Sequence, residues 1–262
     1  MDRQHKDKPS QHPGGTGKRA LPGFGLDIVI ASLYSLIPIF IQLSQIFFVT
    51  LKRNHIAGLA AVSLVVAGIF LFALFIHKPW PWKIIALSAL LASALIIGFT
   101  PREVSLLSIL GIGKPSLRIY LLMMVGLIIG TALGIYTRHH FELGLLPVTL
   151  TLVAVIAPLT GAMEELLFRG YIQGKLNSIN PIFAVLYAAI SHTAYKLLVI
   201  YSLGRPLEFD FLFLAQWTFL GGLAFGSLRF FAQSIFPPLI AHAIFDIILY
   251  GGLLTAPFWV WS

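Results

Sequence analysis

The sequence predicts an all-α fold, a polytopic transmembrane helix bundle of about eight spans. Three observations predict it. Of the 262 residues 58% are hydrophobic and only 11% are charged, against about 25% charged in soluble domains. Mean hydropathy is +0.89. The apolar residues also gather in runs near the ~20 residues that cross a hydrocarbon core. An ordinary soluble enzyme is excluded, because most of the surface must meet lipid.

Residues 1–22 are polar and rich in Lys, Pro and Gly, so a disordered tail is expected. A cleavable signal peptide does not fit, since the first apolar run, 25–51, is of span length and ends at Lys52 and Arg53. Further runs lie at 56–77, 84–100, 119–137, 143–165, 181–202, 211–231 and 235–256. Residues 101–118 carry Arg102, Glu103, Lys114 and Arg118 and are expected as a connecting loop with an interfacial helix. The indoles and amines of the stretch from Lys78 to Lys83 mark a headgroup layer. Gly126, Gly130 and Gly134, like Gly222 and Gly226, recur every fourth residue and let helix backbones approach closely.

The net charge is +8. Five of the 18 Lys and Arg (Arg3, Lys6, Lys8, Lys18 and Arg19) fall in the tail, and most others cap apolar runs. That distribution suits anionic lipid headgroups as partner and speaks against nucleic acid. The absence of cysteine removes disulfides, thiolate zinc sites and cysteine nucleophiles. Charge does not settle orientation: the tail and the loops favour opposite sides of the bilayer for the site described next. Oligomeric state is not legible.

Ionisable side chains inside a bilayer carry an insertion cost of roughly 2.5–3.5 kcal/mol and need a reason to be there. Those that interrupt apolar runs are Glu164, Glu165, His192, His242 and Asp246, all in the last hundred or so residues, with Arg169 and Lys196 nearby. Read as helix, Glu165 and Arg169 share a face and form an ion pair, while Glu164 points elsewhere. His242 and Asp246 are likewise four apart, so Asp246 is expected to fix the tautomer of His242. Lys196 lies on the face of His192, or snorkels to the interface. The bland alternative is interfacial charge and polar glue between helices.

These residues resemble the CAAX-protease and bacteriocin-processing (CPBP) family of intramembrane glutamic endopeptidases, related to the type II CAAX prenyl endopeptidases. The resemblance spans about residues 150–250, in three ordered motifs on successive membrane segments: Glu164-Glu165-Leu-Leu-Phe-Arg169, the segment ending at His192, and His242-Ala-Ile-Phe-Asp246. Ala188 stands where the second motif has Phe. The implied organisation is a tail at 1–22, N-terminal transmembrane helices at 23–142 and a catalytic core at 143–262.

The resemblance implies hydrolysis of a peptide bond in a membrane-anchored protein or peptide tail. Glu164, assisted by His192, would be the general base on water, and His242 would donate to the oxyanion. Glu165 and Arg169 would hold the helix end. Asp246, when ionised, only accepts and is assigned to orienting His242. No cofactor is expected. The competing chemistry is zinc held by Glu164, His192 and His242, and the competing functions are a catalytically silent scaffold and a proton-coupled transporter. A multi-pass protein of a prokaryotic inner membrane is expected.

Overall fold

The computed structural model describes residues 53–99, 105–204 and 210–254. The expected tail, the 25–51 run and the charges Arg102, Glu103 and Glu208 lie outside them. Among the described residues the chain is a helical bundle without strands.

Helices α1 (Arg53–Phe75) and α2 (Trp82–Phe99) form an antiparallel pair around the Pro79-Trp80-Pro81 turn. Phe75 and Trp82 stack across it, with ring centroids 5.5 Å apart. Gly68 leaves room for Ser93, whose hydroxyl donates to the carbonyls of Ala89 and Val65. The short α3 (Leu106–Leu110) is capped by Ser105 and ended by Gly111 at φ 74°. It is the helix expected within 101–118.

Helix α4 (Leu117–His140) turns its glycines toward α9 (Phe236–Tyr250). A Cβ on Gly130 would run into the carbonyl of Ala241, and one on Gly126 would lie 2.6 Å from that of Pro237. The spacing of small residues is therefore a packing seam, as the sequence implied. Helix α7 (Pro181–Ser202) starts at an Asn180 cap with Pro181 in the first turn, and α8 (Phe211–Ala232) at an Asp210 cap. Gly222 and Gly226 bring α8 against Ala189 and Val185 of α7.

Two expected spans are corrected. The run at 143–165 is helical only from Leu152, as α5 (Leu152–Glu165), and then passes through a π-helical segment, Leu166–Ile172, into α6 (Gln173–Leu176). The run at 235–256 stops being helix at Tyr250. Glu142, Gly144 and Gly252 adopt positive φ, and Pro147 packs on Gly251, so both non-helical stretches meet at one place. Arg138 sits there, buried, and donates to the carbonyls of Leu143, Gly144, Ile248, Leu249 and Gly251 at 2.5–3.1 Å. Buried irregular backbone requires donors of this kind.

Among the described residues five helices, α1, α2, α4, α7 and α8, are long and apolar enough to cross a membrane, and α9 is a shorter apolar helix. Large apolar side chains such as Leu64, Leu91, Phe99, Ile128 and Leu159 are exposed on the outside. In water that surface would be a severe liability; in lipid it is the expected exterior. The protein is an integral multi-pass membrane protein.

Candidate active site

Every buried acid and imidazole singled out from the sequence faces one region between α5, α7 and α9. Glu164 and Glu165 end α5, Arg169 lies in the π segment, His192 and Lys196 are one turn apart on α7, and His242 and Asp246 are one turn apart on α9. Glu164, Glu165, Arg169, His192, His242 and Asp246 are all 6% exposed or less. The π segment widens the helix where it carries Arg169, a feature often found at functional sites.

The contacts form a nearly closed loop. Glu164 Oε2 is 3.1 Å from His192 Nε2, and His192 Nδ1 is 3.1 Å from Arg169 Nη1. Arg169 Nη1 is 3.0 Å from Glu165 Oε1, which also lies 2.9 Å from His242 Nδ1. The remaining link, His242 Nε2 to Glu164 Oε2, is open at 3.9 Å. Tautomers follow from donor chemistry. Arginine only donates, so His192 Nδ1 accepts and its Nε2–H donates to Glu164. Glu165, paired with Arg169, only accepts, so His242 donates through Nδ1.

The expected ion pair of Glu165 with Arg169 is present, and Glu164 does point elsewhere. It is not left without a cation, however: Lys196 Nζ lies 2.6 Å from Glu164 Oε1. Lys196 therefore turns inward instead of snorkelling. Asp246 is also placed differently from the expectation. Its Oδ1 is 3.8 Å from His242 Nε2, outside hydrogen-bond reach, and the residue that orients His242 is Glu165.

Three contributors were missed by sequence reasoning. A Cβ on Gly161 would meet Asp246 Oδ2 and lie 3.1 Å from His242 Nε2, so α9 reaches the acids only because this position is Gly. The signal was a small residue one turn before Glu164. Phe168 packs its buried ring on His192, centroids 4.7 Å apart. Ala188, at the Phe position of the second motif, belongs instead to the apolar cluster of Phe168 and Tyr171. Arg138, which the sequence reading did not single out, secures the end of α9 through the carbonyls of Leu249 and Gly251.

A cavity of about 110 Å³ adjoins the loop of contacts. Its polar end is made by Arg169, His192, Lys196, His242 and Asp246, its apolar end by Phe141, Phe213, Leu214, Trp217 and Phe245. Trp217 Nε1 donates to Thr137 Oγ1 at 2.7 Å, tying α8 to α4 along this wall. Glu164 does not itself line the cavity; His192, His242 and Lys196, which surround it, do. Among the described residues no three His, Asp or Glu side chains are grouped so as to hold a metal ion.

Fold and site together define a multi-pass membrane protein whose bilayer-embedded helices enclose a pocket of acids, imidazoles and amines. Residues 144–248 match the family model described as Type II CAAX prenyl endopeptidase Rce1-like. The match includes all of the site residues from Glu164 to Asp246. No curated protein and no solved structure matches the chain.

Proposed function

We propose that the protein is an intramembrane endopeptidase that cleaves a peptide bond of a membrane-anchored protein or peptide tail with water activated by Glu164. The observation that carries this reading is the open link: Glu164 Oε2 and His242 Nε2 face each other at 3.9 Å, while the other contacts of the loop are within 3.1 Å. A base and an acid are thus held beside a pocket with an apolar extension.

In this reading Glu164 removes a proton from water, steered by the Nε2–H of His192. His242, held through Nδ1 by Glu165, offers Nε2 to the developing oxyanion, which requires the doubly protonated ring. Arg169 is a positioning residue, since one nitrogen sets both the His192 tautomer and the Glu165 carboxylate. Asp246, close to Nε2 without bonding to it, adds negative charge beside the imidazolium.

The donor chemistry supports a route without metal. Zinc on Glu164, His192 and His242 would have to share the carboxylate with the ammonium of Lys196, 2.6 Å from Oε1, and would need His192 Nε2 free of its proton. The test is purified full-length protein in proteoliposomes with synthetic peptides anchored by an acyl or farnesyl chain. Chelator-resistant cleavage that disappears in His192→Ala and His242→Ala is expected. Cleavage that survives both substitutions, or that stops with chelator and returns with zinc, would overturn the reading.

A further inference from the structure

We propose that Lys196 is a catalytic residue, the proton donor to the leaving amine. The inference rests on the proposed peptidase chemistry and adds a group to it. Three observations lead there. Lys196 Nζ forms an ion pair with Glu164 Oε1 at 2.6 Å. Its side chain is 15% exposed, against 6% for Glu164, and it lines the cavity that Glu164 does not. It lies one turn beyond His192 on the same face of α7, so its position is fixed by the helix that presents the imidazole.

An amide does not expel an unprotonated amine, so the reaction needs an acid on the leaving-group side. The imidazoles are committed elsewhere: His192 Nδ1 to Arg169 and Nε2 to Glu164, His242 Nδ1 to Glu165 and Nε2 to the oxyanion. Arg169 does not surrender a proton in proteins. Lys196 remains, bordered by Glu164 from α5 and by His242 and Asp246 across the cavity.

The step balances. Glu164 takes a proton from water as the water oxygen bonds to the carbonyl carbon. When the C–N bond breaks, the electron pair goes to nitrogen, which takes a proton from the Lys196 ammonium. Glu164 then returns its proton to the Lys196 amine across their contact. One water is consumed, and both side chains end as they began.

The chain has no cysteine, which permits a clean chemical test. Lys196→Cys in the full-length protein is alkylated either with 2-bromoethylamine, restoring a protonated amine, or with (2-bromoethyl)trimethylammonium, restoring charge without a proton. Each form is assayed on an anchored peptide amide and on the corresponding p-nitrophenyl ester, whose leaving group needs no acid. Lys196→Arg is assayed alongside, and detergent melting curves confirm folding. The amine adduct should recover amide cleavage, while the quaternary adduct and Lys196→Arg should lose about 10²–10⁴-fold more on the amide than on the ester. Amide cleavage restored equally by the quaternary adduct, or amide and ester falling together in every form, would overturn the proposal. Wild type inactive on both substrates would instead sink the peptidase reading beneath it.

Discussion

Arg169 Nη1 lies 3.1 Å from Nδ1 of His192 and 3.0 Å from Oε1 of Glu165, so one guanidinium nitrogen joins the two halves of the site. All three side chains are buried. Removing Arg169 leaves a carboxylate in the interior without its cation, for which losses of about 3–5 kcal/mol are typical. Arg169→Met should therefore melt well below wild type in detergent. The double variant Arg169→Met, Glu165→Gln should recover part of the loss, because it removes both charges, and remain inactive. A double-mutant cycle on melting checks this.

Gly161 is the clearance for α9. Its Cβ would fall on the Asp246 carboxylate and beside His242. Gly161→Ala should displace the imidazole and lower kcat by about 10²-fold, the usual penalty for a misplacement near 1 Å. Gly98→Ala, where an added Cβ meets nothing within 4 Å, should leave the rate unchanged and the melting temperature at or slightly above that of wild type.

Gly221 borders the cavity without filling it. It lines the pocket, and a Cβ there has only Leu133 Cδ1 within contact distance, at 3.9 Å. Gly221→Val should fold normally and shrink the apolar end. Peptides with a bulky apolar residue next to the cleaved bond should lose about tenfold or more in kcat/KM, and peptides with Ala there should be spared. A panel of anchored peptides measures the ratio.

Arg138 closes the far end of α9. Five carbonyls lose a donor in Arg138→Met. At about 1–3 kcal/mol for each buried group left unsatisfied, only part of which local rearrangement recovers, the variant should be among the least stable. Hydrogen exchange should show the turn at 141–151 and the last turn of α9 opening together.

Much of the bundle was legible because apolar runs and their polar breaks are local properties. The runs at 181–202 and 211–231 coincide with α7 and α8 to within a residue. Those at 143–165 and 235–256 misled, because Arg138 sustains irregular backbone that composition alone reads as span. The residues of the site were legible from the rarity of charge in lipid, and the pair of Glu165 and Arg169 from its spacing along the chain. Contacts between helices were not. Lys196 with Glu164, and Glu165 with His242, depend on how the helices are rotated and how closely they cross. Arg138, Arg169 and Arg229 are all buried, Arg229 donating to the Ile109 carbonyl beneath α3.

The most direct measurement is cleavage of an anchored peptide by purified wild type and Glu164→Gln, compared at matched folding in proteoliposomes. The account predicts a single new carboxyl terminus with wild type and a loss of at least ~10³-fold in Glu164→Gln. Cleavage by Glu164→Gln at a rate near wild type would contradict it.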